Sequence, residues 1–161
     1  MLKVNRERFT EKDNFNLKMK ILLSIFLFCF VFGFSQNYSK QEKAVLLQAK
    51  KLDSLMQNND DKIINILCAD VSFGHSNGWI QNLNDFKKDF SSKKVIYKEI
   101  RQTEISELKQ NKKTISLRRT ISVAGSYKSN DFRMKLALLE IWIKNKSVWK
   151  LWSRQSVEIK L

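Results

Sequence analysis

His75 is the single histidine of the chain and closes an alternating segment, Val71–His75, that predicts a β-strand. The Ser76-Asn77-Gly78 sequence that follows predicts a tight hairpin turn, because asparagine and glycine tolerate positive φ. An imidazole exchanges protons near neutral pH, so His75 is the candidate general acid or base. A histidine beside a turn also serves as a hydrogen-bonded structural residue, and the sequence leaves both interpretations open.

A few polar side chains lie on the otherwise apolar faces of the strands predicted later in the chain. Alternation places four polar side chains on apolar strand faces: Arg119, Glu140, Ser153 and Gln155. Trp142 shares the face of Glu140, and Tyr97 is a further hydrogen-bond donor toward the same cavity. An apolar surface with a few convergent polar groups describes a ligand pocket. Arg119 either receives an anionic or carbonyl-bearing ligand or neutralises Glu140 in an ion pair.

Other chemistry-bearing patterns are missing from the sequence. It contains no nucleophile elbow, phosphate loop, dinucleotide fingerprint or metal-ligand spacing. We therefore expect no metal site and no cofactor. Cys68 falls on a predicted apolar helix face, which favours a buried, inert thiol over a nucleophile.

Capping signals and periodicity predict the elements that position these residues. Ser39-Lys40-Gln41-Glu42 fits a capping box that starts a helix ending near Asn58. Asp60 is expected to cap a second short helix, and Asn84 a third. Four strands are predicted after them: Val95–Ile105, Lys113–Val123, Phe132–Ile143 and Val148–Ile159. Helices followed by an antiparallel meander indicate an α+β fold, in which helices pack on one face of a strongly curved antiparallel sheet.

The third of these long strands is apolar on both faces. Either other elements of the chain cover both faces of such a strand, or one of its faces lies in an interface with another molecule. Because the helices cover only one face, we expect a homodimer through the outer face of the sheet. The residues expected there are Ala137, Leu139, Ile141, Ile143 and Trp152.

The N-terminal segment predicts export. Residues 21–34 carry no charge, and they are shorter than the roughly 20 apolar residues of a membrane-spanning helix. Small residues then fit a signal peptidase site with cleavage near Ser35/Gln36, and an uncleaved anchor is the alternative. We interpret residues 1–35 as a signal peptide, in which residues 1–18 form an upstream mis-start, and residues 36–161 as a single periplasmic or secreted domain.

Net charge bears on the partners. The 161-residue chain has a formal net charge of +14. Its lysines are scattered, without the aromatic-and-arginine strip that single-stranded nucleic acid requires, so no nucleic acid partner is expected. The excess of lysines is explained by their role in keeping the protein surface solvated. The alternative is that they attract the protein to an anionic surface or an acidic polymer.

Two stretches are similar to motifs of a known family. DVSFGHSNG, residues 70–78, resembles the His-Ser-x-Gly turn of the SnoaL-like group called domain of unknown function 4440. WKLWSRQS, residues 149–156, resembles the closing Trp-(Lys/Arg)-Leu…Gln strand of that group. Together with the helix-then-meander layout, they make residues 40–160 resemble the nuclear-transport-factor-2-like superfamily.

This resemblance implies a cone-shaped, cystatin-like roll with a deep pocket and a dimer through the sheet. His75 and Gln155 occupy the matching motif positions. The resemblance implies no single activity, because relatives include isomerases, dehydratases, cyclases and non-catalytic modules.

The sequence thus predicts an exported domain that binds a small apolar or anionic molecule. One alternative is a cofactor-independent lyase, isomerase or hydrolase with His75 as acid or base and Arg119 or Gln155 polarising an oxygen. The other is a non-catalytic adaptor that binds anionic partners through its basic surface. The sequence leaves open whether the chain is an enzyme.

Overall fold

The structure is a computed structural model that describes Met19 and residues 38–160. The predicted signal peptide, its cleavage site and the upstream mis-start fall outside the described residues, apart from Met19. Among the described residues, no helix is both long and apolar enough to cross a membrane.

The first helix, α1, spans Lys40–Gln57 and begins as predicted. Ser39 Oγ accepts a hydrogen bond from the Glu42 backbone N–H at 3.2 Å, and Glu42 Oε2 accepts one from the Ser39 N–H at 2.7 Å. This reciprocal capping box satisfies two backbone donors at the helix start. A 3₁₀ helix, Asp61–Ile66, follows, and the Asp60 side chain caps it as predicted.

The second α-helix, α2, spans Leu83–Ser91 and begins earlier than predicted. Its cap is Asn82, whose Oδ1 accepts from the backbone N–H groups of Asn84 at 2.8 Å and Asp85 at 3.0 Å. The prediction of Asn84 as the cap was wrong because the preceding strand runs directly into the helix. Asn84 therefore donates to the cap from inside the first turn.

Six strands form one sheet in the order β2-β1-β6-β5-β4-β3. Their bounds are β1 Leu67–Gly74, β2 Ile80–Asn82, β3 Val95–Asn111, β4 Thr114–Tyr127, β5 Asn130–Asn145 and β6 Val148–Glu158. The predicted antiparallel meander is confirmed from β3 to β6. In addition, β6 pairs in parallel with β1, which makes the sheet mixed and joins the meander to the first hairpin. The α+β fold class is confirmed.

β1 begins at Leu67, four residues before the predicted strand start at Val71. Cys68 therefore lies on a strand and not on a helix, and the predicted helix face was wrong. The thiol is nevertheless buried, as expected. Burial and the nearby Asp70 charge raise the pKa of this thiol above its usual value, which keeps it protonated at neutral pH.

The core lies on one face of the sheet, beneath the helices. Apolar side chains of α1, the 3₁₀ helix and α2 pack there against those of β1, β4, β5 and β6. β6 contains an irregularity at this face: Trp142 pairs with Leu151, whereas the preceding residue Ile141 pairs with Ser153. Trp152 thus has no partner residue on β5 and forms a β-bulge in β6. Every β6 side chain after this bulge points to the opposite face from the one that strict alternation predicts.

Candidate functional site

Four charged side chains meet in the interior between α1 and the sheet. We call Asp53 of α1, Arg119 of β4, Glu140 of β5 and Arg154 of β6 the interior cluster. Arg119 Nη2 donates to Glu140 Oε1 at 2.7 Å and to Asp53 Oδ1 at 2.8 Å. Arg119 Nη1 donates to Asp53 Oδ2, so one guanidinium joins the helix to two strands. The cluster contains two cations and two carboxylates, and its charges balance.

Alternation along β4 and β5 explains two of these positions. Arg119 lies in phase with the buried Leu117 and Ile121, and Glu140 lies in phase with Leu138 and Trp142. Arg119 and Glu140 are 1% and 0% exposed, as the pattern predicts for residues inside an apolar face. Burial alone would lower the pKa of Arg119, but the charge of Glu140 and the charge and hydrogen bonds of Asp53 raise it above its usual value. The guanidinium therefore stays charged.

Asp53 was missed by the sequence analysis, although it is only 8% exposed. It lies beside Leu52 in α1, four residues after Ala49 and three before Met56. This spacing places it on the edge of the buried stripe, and that signal was available. A single aspartate in a helix is ordinarily solvated, however, and only the arginine opposite it explains its burial.

Arg154 was also missed, because the bulge at Trp152 inverts the phase of β6. Ser153 and Gln155 were predicted on the inner face, and that prediction was wrong. Arg154 is the buried residue, at 6% exposure, and it lies opposite Glu140. Ser153 accepts from the Ser72 hydroxyl at 3.1 Å on the other face, and Gln155 is exposed.

Arg154 has weak partners for a buried cation. Its Nη1 donates to Met56 Sδ at 3.4 Å, and a thioether is a poor acceptor. Its Nε is buried, has no hydrogen-bond partner among the residues that the structure describes, and lies 3.9 Å from Glu140 Oε1, which already accepts from Arg119. A buried polar group without a good partner is costly in free energy unless another group satisfies it.

Trp142 and Tyr97 border the cluster. Trp142 is fully buried, and its Nε1 donates to Glu140 Oε2 at 3.2 Å. Tyr97 of β3 meets Phe132 edge to face, with ring centroids 6.1 Å apart. Burial raises the pKa of Tyr97; the charge of Arg154 opposes this shift and the charge of Asp53 adds to it. The phenol is therefore neutral at physiological pH and available as a donor near the interior cluster.

His75 lies at the hairpin, and its ring contacts are local. The ring stacks on Trp79 with centroids 4.7 Å apart, and Nε2 lies 3.2 Å from Gln81 Oε1. Gln81 Nε2 in turn donates to Asp89 of α2 at 3.0 Å, and Lys94 pairs with Asp89 at 3.2 Å. This chain of contacts braces the hairpin against α2.

The structure thus brings together four of the sequence-derived site residues: Arg119, Glu140, Trp142 and Tyr97. His75, Ser153 and Gln155 take their partners elsewhere; Gln155 Nε2 lies 3.5 Å from the His75 carbonyl oxygen, which accepts from it. Within residues 38–160, no three His, Cys, Asp or Glu side chains are grouped closely enough to hold a metal ion.

The outer face of β5 carries part-buried apolar side chains. Ala137, Leu139 and Ile141 point away from the helices, and Trp152 of β6 is 43% exposed beside them. Trp152 Nε1 donates to Asp70 at 2.9 Å. Ile143, also predicted on this face, instead packs against the main core, next to the register shift between β5 and β6.

Comparisons with known proteins identify the fold. No protein-family model and no curated protein matches the sequence. An NTF2-like protein from Cytophaga hutchinsonii superposes with a TM-score of 0.70 at 20% identity, covering 75% of this chain and 100% of its own. An NTF2-like protein of unknown function in nutrient uptake, from Rhodospirillum rubrum, gives 0.68 at 16% identity, covering 72% and 98%.

A third solved structure is a putative Ca/calmodulin-dependent kinase II association domain from Exiguobacterium sibiricum. Its TM-score is 0.69 at 9% identity, and the match covers 79% of this chain and 99% of that one. At such identities the likeness is one of fold, and membership of the SnoaL-like group stays a prediction. The chain has the α+β fold of the NTF2-like (nuclear-transport-factor-2-like) proteins, as its sequence predicted.

Proposed function

We propose that this chain is an exported small-molecule-binding domain whose interior receives the carboxylate of a small ligand at Arg154. The observation that carries the proposal is the buried Arg154 guanidinium, which faces a thioether and has an Nε without a hydrogen-bond partner in the described part of the chain. The planar guanidinium fork matches a carboxylate in geometry and charge.

The neighbours of Arg154 support an anionic ligand. Arg119 makes the short contacts with Asp53 and Glu140, so Arg154 is the cation of the cluster that lacks a close oxygen partner among the described residues and can receive an incoming anion. Met56 is unbranched and flexible, and its movement would vacate the place where the carboxylate binds. The neutral Tyr97 phenol, on which the charge of Arg154 acts, is a further hydrogen-bond donor on this face of the sheet.

Ligand binding is tested with the anions butyrate and benzoate and their uncharged counterparts butyramide and benzamide. Both anions are expected to raise the melting temperature of the protein, because a ligand that binds only the folded state stabilises it. The amides are expected to have little effect.

Arg154→Met is the decisive variant. It leaves Arg119 as the one cation of the cluster beside Asp53 and Glu140, so it is expected to be less stable than the unaltered chain, and its response is measured as the change in its own melting temperature. It should lose the response to both anions, whereas the control Arg118→Met, at an exposed arginine on the same strand as Arg119, should keep it. Equal responses in the two variants would contradict the proposal.

The proposed export rests on the N-terminal sequence. An uncharged segment followed by small residues at positions 33 and 35 fits a cleaved signal peptide. Intact-mass measurement of the protein purified from its own host tests this directly, because the expected mature chain begins at Gln36. A chain that retains residues 21–34 would show an uncleaved anchor instead.

We also propose that the domain self-associates through the outer face of β5. The support is the apolar set Ala137, Leu139, Ile141 and Trp152, which lies on the face opposite the helices. A fold relative named as an association domain is compatible with self-association.

A further inference from the structure

A groove of about 810 Å³ runs between α1 and β3; Asp53 of the interior cluster lines it, and Arg154 is not among its lining residues. Its helix wall is one face of α1 from Lys43 onward, with the C-cap Asn58, and its strand wall lies between Ile100 and Ile105. Apolar side chains line it on both sides: Leu47 is 69% exposed on the helix, and Ile100 and Ile105 are part-buried on the strand.

The strand wall is an open edge of the sheet within residues 38–160, because β3 is the last strand in the sheet order there. The Ile100 backbone N–H points away from β4 and donates to Gln57 Oε1 of α1 at 3.0 Å. Glu99–Gln102 pair regularly with β4, so the backbone groups of Gln102 face outward as those of Ile100 do. The side-chain carbonyl oxygen of Gln57 thus occupies the place where a backbone carbonyl of an added strand would accept a hydrogen bond from Ile100.

The groove is positively charged. Lys43 and Lys50 of α1 and Arg101 of β3 line it. The acid in its wall, Asp53, is neutralised by Arg119, and the exposed Glu99 lies 3.9 Å from Arg101. An acidic partner therefore complements this surface, and a basic one does not.

We propose that this groove binds an extended peptide of alternating acidic and apolar residues, which adds a strand to this open edge of β3. Backbone hydrogen bonds would supply affinity, and the apolar residues would pack on Leu47, Ile100 and Ile105. From Lys43 to the C-cap Asn58, the helix wall rises about 22 Å at about 1.5 Å per residue. At about 3.3 Å per residue, that length accommodates about seven residues of an extended strand.

The probe is a fluorescein-labelled peptide of alternating glutamate and valine, about eight residues long. Binding is measured by fluorescence anisotropy at low salt, against a lysine–valine peptide and a version of the probe N-methylated at alternate residues. The glutamate–valine peptide is expected to bind, and binding should weaken with added salt. The lysine peptide should not bind, and N-methylation should abolish binding because it removes the backbone donors.

Variants locate the peptide in the groove. Lys50→Glu/Arg101→Glu and Leu47→Ser are each expected to weaken binding at least tenfold, because they reverse the charge and remove apolar contact. Their controls are Lys87→Glu and Ile80→Ser, which alter an exposed lysine and an exposed isoleucine outside the groove and should bind as the unaltered chain does. Gln57→Ala should bind more tightly, since the peptide no longer competes with the amide for Ile100.

Several results would overturn the proposal: no binding of the probe, equal binding by the groove variants and their controls, or loss of binding in Gln57→Ala. Sedimentation of Leu47→Ser supplies a further test. A change in its oligomeric state would show that the groove is occupied by a second copy of the chain.

Discussion

Arg119 on β4 and Glu140 on β5 form an ion pair of 2.7 Å between two side chains with no solvent exposure. Asp53 of α1 is the second partner of the same guanidinium. The pair therefore fixes the helix over the sheet as well as joining two strands. Removing one partner of a buried pair leaves the other charge uncompensated in the core.

Glu140→Gln is accordingly expected to destabilise the domain by about 3–5 kcal/mol. The amide keeps the shape of the side chain and can still accept a hydrogen bond from Trp142. The loss of stability therefore measures the contribution of the Glu140 charge. Urea unfolding measures it, with Glu99→Gln as the control at an exposed pair 3.9 Å from Arg101. Equal midpoints for the two variants would contradict this role of the interior cluster.

Two glycines of the sheet are expected to differ in their tolerance of alanine. A Cβ at Gly125 would overlap the Ile96 backbone carbonyl, which the β3–β4 pairing holds in place. Gly125→Ala should therefore cost about 1–3 kcal/mol or more. A Cβ at Gly74 meets only the end of the exposed Gln155 side chain, which can rotate away, so Gly74→Ala should cost much less. Thermal unfolding of the two variants checks the order, and a reversed order would refute it.

Tyr97 should make stability fall at alkaline pH. Its pKa is raised by burial, so between its unfolded pKa of about 10 and its higher folded value the unfolded state binds fewer protons. Stability is therefore complete below about pH 10 and decreases as pH rises above it. Tyr97→Phe should show a smaller decrease than the unaltered chain, whereas Tyr127→Phe, at an exposed tyrosine, should not differ from it. Urea unfolding between pH 8 and 11 measures these slopes; parallel curves for Tyr97→Phe and the unaltered chain would contradict the assignment.

A charge on the outer face of β5 should block the proposed self-association. Ile141→Lys is expected to convert the dimer to a monomer, because burying an unpaired ammonium in an apolar interface is unfavourable. Ile80→Lys, at an isoleucine 68% exposed on β2, should leave the dimer intact. Light scattering coupled to size-exclusion chromatography gives the molar mass, and a dimer that survives Ile141→Lys would place the interface elsewhere.

Local patterns predicted much of the fold. The capping box at Ser39 and Glu42 depends on residues three apart, and the meander from β3 to β6 depends on alternation and short turns. Alternation also predicted the burial of Arg119 and Glu140, because no irregularity interrupts the pairing of β4 with β5. These features are visible in the sequence since each depends on near neighbours in the chain.

The tertiary structure decided the remainder of the site. Alternation counts residues by two, so the one extra residue at Trp152 exchanges the faces of β6 and buries Arg154 in place of Ser153 and Gln155. The bulge is defined by pairing with β5, and the burial of Asp53 by an arginine 66 positions later in the chain. The sequence by itself determined most of the elements and the apolar faces of β4 and β5, whose pairing is regular. The structure alone decided which charges meet inside, because those contacts join residues that are distant along the chain.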